Sequence, residues 1–374
     1  MRNRFEAKKK IRFYGAFGYI FLVGLMVLIA ACEKKSPLTI VSLSDDKTSS
    51  LQSPVIATVR EIGAIGKPAT VAVRDGGASA LIGGNLLWYF GDTIFNPPAV
   101  DGTNLRSNTA ALANPLQPLV TSEPVDANGA PHPFVPFTPD EQAYYDASGQ
   151  PDERFALWPG SIIRDANGNG VVFFLKLKVH PGFLNYEFIG AGLANVTPGQ
   201  TNATRQGKLL FKIPEPTFDN AAVLGSYVYV YGDINMTNNF GVARVPLAQV
   251  KTRSAYRFWN GVKWVANVNQ TRAILNGIPG EMTVSYNAYL QKYLAIHSGA
   301  LSPKIFMRTA DNPQGPWSAP AEVFTGRTSS SGFNYAAREH PELAQNNGQT
   351  IFITYFNPQG FLAGELYLVE VTLQ

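Results

Sequence analysis

From Val71 onward the chain alternates short runs of β-branched and aromatic residues with Gly, Asn and Pro, and helical period is almost absent. The clearest runs are NLLWYFGDT, GVVFFLKLK, SYVYVYGDI, KYLAIHSGA and TIFITYFNP. Each follows another apolar run that ends in a turn: GASALIGG, GSIIRDANGN, NAAVLG, MTVSYNAYLQ and HPELAQNNGQ. Each precedes a third: NTAALA, FIGAGLANV, FGVARVPL, KIFMRTA and ELYLVEVTL. Taking Leu87, Val172, Tyr229, Tyr293 and Phe352 as equivalent, the spacings are 85, 57, 64 and 59 residues. A three-strand phrase repeated five times predicts an all-β, five-bladed β-propeller. A pair of β-sandwiches is the rival, but it does not require the repeat. The one long interval holds a Pro-rich insert from about Asn114 to Gln150, between blades 1 and 2. In it Thr138, Pro139 and Glu141 stand where a short helix needs its N-cap, first residue and capping-box acid. Propellers usually close by pairing one chain end with the other, so LYLVEVTL near Gln374 is expected to be structural.

The amino end has a different pattern. A basic segment leads into YIFLVGLMVLIAAC, with small residues directly before the only cysteine. This resembles a bacterial lipoprotein signal with the lipobox Ile29-Ala30-Ala31-Cys32. The expectation is a signal peptide over 1–31, lipidation of Cys32, a polar Ser-rich tether over 32–54 and a propeller domain over 55–374. The alternative is a transmembrane anchor, since Phe13 to Cys32 is uncharged and about long enough to cross a bilayer. On either reading the domain is exported to the cell envelope and held at a membrane. A lone cysteine excludes an intramolecular disulfide.

The leader also distorts the charge. The whole chain carries net +4, but beyond the leader there are 25 basic and 26 acidic residues. A nucleic-acid partner therefore has no electrostatic basis. A monomer is expected.

Lining up the residues before each first strand gives RDGGAS, LWPGSI, FDNAAV, GEMTVS and REHPEL. Four of the five carry an acid: Asp75, Asp219, Glu281 and Glu339. First strands of propeller blades line the axis, so these acids are expected to converge on one mouth of the channel. Asp92 and Asp233, at the ends of second strands, return to the same mouth by antiparallel geometry. Arg74 and Arg338 are candidates to offset the crowded charge. Carboxyls whose pKa values are driven apart are what glycosidic-bond cleavage needs, one to give a proton and another to act as base or nucleophile. Trp88, Tyr89, Trp158, Tyr286 and Tyr335 are candidate flat surfaces for sugar rings. The competing reading is a solvated rim, with Asp92 capping its own turn.

Other chemistry is thinly represented. Asp165 to Gly170, DANGNG, opens like a calcium loop, but the twelfth position is Lys176, so a hairpin turn competes with a structural calcium. The four histidines lack metal-ligand spacing, although His297 and His340 are placed to reach the mouth. No phosphate loop or serine nucleophile elbow is present, and no cofactor is called for.

ALIGGNLLWYFGDT, FALWPGSII, YNAYLQKYLAIHSG, MRTADNPQGPWSAP and EHPELAQNNGQTIFITYF resemble the domain-of-unknown-function family 4185. More distantly they are similar to the propeller glycoside hydrolases of the arabinanase and β-xylosidase type. The resemblance runs from about Val71 to Gln374 and implies a glycan-cleaving enzyme, since the family includes endo-acting D-arabinanases. It maps a GDT motif onto Gly91-Asp92-Thr93 and an HPEL motif onto His340 to Leu343. It implies a base at Asp75. The acid of such enzymes is a glutamate on the third blade; this chain has Asp219 there, with Glu281 and Glu339 as substitutes. The partner implied is a polysaccharide or oligosaccharide. A glycan-binding lipoprotein without activity is the alternative.

Overall fold

The computed structural model describes residues 54–148, 152–182, 185–360 and 363–374; the leader, Cys32 and nearly all of the tether lie outside the described residues. Among the described residues, five sheets have four to six strands, a sixth has three, and there is one α-helix, α1 (Pro139–Ser148). The first sheet is a meander of Ala78–Ile82, Asn85–Phe90, Thr109–Asn114 and Gln117–Ser122. The second opens on Arg154–Arg164, the third on Thr217–Leu224, the fourth on Met282–Asn287 and the fifth on Tyr335–Glu339. These opening strands touch one another in chain order. A 2.6 Å hydrogen bond between Ser79 Oγ and His340 Nδ1 links the fifth back to the first. The five strands therefore surround a common axis.

The chain ends meet in the fifth sheet. Ile56–Ala64 pairs with Ala363–Leu373, which pairs with Thr350–Gly360, which pairs with Tyr335–Glu339. The large apolar side chains fill the spaces between sheets. Trp88, Phe90, Phe352, Phe356 and Leu366 pack in one cluster; Leu87, Tyr89, Phe134, Leu157 and Phe174 pack in another. Alternation along each strand produces this, because successive side chains point to opposite faces.

The expected insert divides: Gln117–Ser122 is the fourth strand of the first sheet, and α1 folds onto the second sheet. Thr138 N–H donates to Glu141 Oε2 at 2.9 Å and Glu141 N–H donates to Thr138 Oγ1 at 3.3 Å, a closed capping box. The same Glu141 is buried and paired with Arg205 and Lys176, which clamps the helix start to the sheet.

One element differs from the sequence expectation. The fifth sheet opens on Tyr335–Glu339, whereas the HPEL stretch is a tight 3₁₀ turn over Pro341–Leu343. A bulge hides the strand, since its register slips between Tyr335 and Arg338 and the alternation is broken there. The DANGNG segment is a turn: Asp165 Oδ1 accepts the N–H groups of Asn167 and Asn169, both at 2.9 Å. Its carboxylate is thereby engaged by its own backbone.

Candidate active site

Asp75 and Asp92 lie at the open end of the first hairpin, opposite its Gly83-Gly84 turn, where both glycines have positive φ. Asp75 N–H donates to Asp92 O at 2.9 Å, and Gly91 N–H donates to Asp75 O at 2.7 Å. Beyond them the two strands pair again as Val71–Arg74 with Thr93–Phe95, in the three-stranded sheet. The two acids thus stand at the joint between two ladders. Gly91 is needed there, because a Cβ would sit 3.0 Å from Asp75 O.

Bulges aim the residues from the other sheets. Register slips occur beside Gly160 in the second opening strand, at Asp219 in the third and at Ala336-Ala337 in the fifth. A Cβ on Gly160 would lie 2.6 Å from Asp219 O, so only glycine lets the second and third strands approach this closely. Ala336 is held at φ 54°, a strained conformation for a residue with a Cβ. Two residues on, Arg338 reaches across the axis. Its guanidinium donates to Asn220 Oδ1 and to Pro159 O, each at 3.2 Å, and to Met282 O at 3.3 Å. One buried side chain thereby ties the second, third, fourth and fifth opening strands together.

Asp219 and Glu281 lie in the field of that cation, Asp75 is coupled to Glu281, and Asp92 is coupled to Asp75. Burial pushes Asp75 well above the usual carboxylate range, and the charges of Asp92 and Glu281 add to it. The Tyr335 hydroxyl and Gly76 N–H donate to Asp75 and oppose the shift. Burial raises Asp219 to about 8, with Arg338 opposing and Glu281 and Asp233 adding. Glu281 is itself raised by burial and held back by Arg338. Asp92 is raised by burial and held back by Arg154, whose Nη2 is 2.9 Å from its Oδ2, and by Trp158 Nε1 at 3.4 Å from its Oδ1. Glu281 is the electrostatic hub, because its charge is felt at Asp75, Asp219, Tyr186, Tyr335 and Arg338. Like charges coupled in this way do not all ionise together, so the set gives up its protons in linked steps. Asp75 and Glu281 are half-buried, and Asp92 and Asp219 are buried.

Trp158 joins this site through Asp92 and forms an aromatic wall with Tyr186 and Phe188, ring centroids 5.5 and 6.4 Å away. Asp92 does not cap its own turn; that task falls to the Thr93 hydroxyl, which donates to Gly91 O at 3.0 Å. Arg154 and Tyr186 escaped the sequence reading. Arg154 is 62 residues from its partner Asp92, and no local pattern announces such a pair.

Several expected members lie elsewhere. Arg74 neighbours Asp75 in sequence but points to the opposite face, onto the Phe90 ring and into a buried pair with Glu123. Trp88 is fully buried, its indole N–H donating to Pro118 O at 3.2 Å, so it is core and no sugar platform. Tyr89 is likewise buried, with its hydroxyl in the field of Asp219 and Arg338. Asp233 accepts the N–H groups of Thr237 and Asn238, both at 3.0 Å, and reaches the set only through its effect on Asp219. Glu339 lies four residues along its strand from Tyr335. It bonds Ser285 at 2.6 Å and is pushed to about 7 by burial. With Tyr286, Glu342 and Arg338 it lines a cavity of about 490 Å³. His340 is buried between Ser79 and Thr354. Nδ1 of His297 bonds the Ser298 carbonyl, and its ring lies against Phe306, where burial lowers it to about 4. Among the described residues, no three His, Cys, Asp or Glu side chains are grouped to hold a metal ion.

The fold has solved counterparts. A protein from Bacteroides ovatus ATCC 8483 called a "putative hydrolase" superposes with a TM-score of 0.59 at 16% identity, over 81% of this chain and 87% of that one. The GH43_1 enzyme from Xanthomonas citri, complexed with xylotriose, superposes with a TM-score of 0.50 at 12% identity, over 83% and 90%. Identities this low establish a shared fold and leave activity open. No curated protein matches the chain. Residues 196–361, from the third strand of the second sheet through to the fifth sheet, match the family described as Domain of unknown function (DUF4185), the family that the sequence motifs resemble.

Proposed function

We propose that the protein is a glycoside hydrolase that works at this mouth on a furanosidic, arabinan-type polysaccharide, on a propeller whose five blades are the five larger sheets. The observation that carries the reading is a coupled set of buried carboxyls from separate sheets: Glu281 acts on both Asp75 and Asp219, and Arg338 acts on Glu281 and Asp219. Asp219, protonated at neutral pH, gives its proton to the leaving oxygen. Asp75, bonded by Tyr335 and Gly76, takes a proton from the water that adds to the sugar in the form of the coupled set that leaves Asp75 ionised. Glu281 raises both, and Arg338 limits the total charge. Trp158 and Tyr186 offer faces to a sugar ring. The arabinan assignment follows the family resemblance. The test is to assay the domain from Val55 against arabinans and other envelope polysaccharides with product analysis. New reducing ends are expected, and tight binding without cleavage would reverse the reading in favour of a binding protein.

The pH profile supplies a second test. Loss of the Asp219 proton should make kcat/KM fall above about pH 8; a flat profile through that range contradicts its role as acid. Asp219 holds its proton more tightly folded than unfolded. Its contribution to stability is therefore full below about pH 4 and lost as pH rises through about 8.

We further propose that the chain is exported and anchored by lipid on Cys32. Cys32→Ser should move the protein to the soluble fraction or leave an unprocessed precursor. Membrane association that persists with the leader removed would exclude lipid as the anchor.

A further inference from the structure

The second sheet runs on past the mouth. Arg154–Pro159 still pairs with Phe174–Val179 there, and α1 packs on this extension. Between α1 and the three-stranded sheet lies a cavity of about 540 Å³, inside the usual range for ligand pockets. One lining residue is Arg154, which pairs with Asp92 at 2.9 Å. The cavity and the carboxyl cluster are therefore separated by a single side chain.

We propose that this cavity is a second sugar-binding position, holding a neutral unit of the same glycan several atoms away from the bond that is cleaved. The proposal depends on the mouth being a glycan site. The walls suit a sugar. Phe137 and Tyr145 are half-buried aromatic side chains at the cavity. Thr103 Oγ1 and the Tyr145 hydroxyl are 3.1 Å apart, Gln142 is exposed beside them, and the buried Nε of Arg106 has no hydrogen-bond partner among the described residues. Charge decides the class. Asp101 pairs with Arg106 at 2.8 Å, Arg154 is paired with Asp92 at 2.9 Å, and Asp146 adds a negative charge to the lining, so no surplus positive charge awaits a uronic acid or a phosphorylated sugar. The helical wall belongs to the insert in the 85-residue interval, where the other intervals are 57 to 64. It is an addition to the repeat, and its helix is held by its own buried clamp through Glu141.

A ladder of neutral oligosaccharides of increasing length tests the assignment. For the native protein, kcat/KM should rise steeply at the length that fills the cavity. Tyr145→Ala should shrink the ratio of long to short substrates about tenfold, mainly through KM, the scale of losing one stacked ring with its hydroxyl. Tyr145→Phe, which keeps the packing of α1, should shrink it less, and it replaces the alanine variant if that one fails to fold. Cleavage with no length dependence, or a ratio that both folded variants preserve, overturns the cavity assignment alone. Failure of the native protein to bind or cleave any glycan overturns the mouth reading and this one with it.

Discussion

Asp219→Asn is expected to lower kcat/KM on a cleaved polysaccharide by about 10²–10⁴-fold, the usual contribution of a positioned acid. Folding should survive. The native side chain is already neutral at pH 7, its Oδ1 accepts from Asn220 Nδ2 at 2.8 Å, and asparagine keeps that acceptor. The loss should shrink on aryl glycosides whose leaving group departs without a proton. Asp75→Asn should give a loss of similar size that no leaving group rescues, because a base acts on the water. The contrast between the two variants separates acid from base. Near-native turnover in both would mean that the carboxyl cluster is a rim and that chemistry occurs elsewhere.

Removing Glu365 to Gln374 is expected to abolish cooperative unfolding. The strand Ala363–Leu373 is paired on both sides, with Thr350–Gly360 and with Ile56–Ala64. Its removal strips Leu366, Leu368, Val369, Val371 and Leu373 from the core, all buried. Each is worth roughly 1.5–3 kcal/mol, against a total stability of about 5–15 kcal/mol for a typical domain. Ile56–Ala64 loses its only pairing among the described residues as well. A truncated protein that melts at the native temperature in one transition would show that the ends do not close the fold.

Much of this architecture was legible because period-two alternation needs only local sequence. The second and third strands of all five units fall where their apolar runs stand, and the Thr138–Glu141 capping box closes as its spacing requires. The fifth opening strand was misread where the bulge at Ala336-Ala337 broke the alternation. Aligning REHPEL with the other units moved the mouth position four residues too far, onto Glu339. The residue at that level is Tyr335, whose hydroxyl serves Asp75.

By itself the sequence determined the strands, their grouping into five units and the placement of acids at the starts of opening strands, because these follow from residue type and spacing along the chain. Tertiary structure decided which acids share a field. Asp75 feels Asp92 and Glu281, and Asp219 feels Glu281, while Glu339 bonds Ser285 and Asp233 turns to its own loop. It also decided which arginine answers them. Arg74 and Arg338 each adjoin an acid in sequence, but only Arg338 crosses the axis, since side-chain direction depends on strand register and on a bulge. Burial and distance between charges are properties of the folded assembly, and they set where the protons sit.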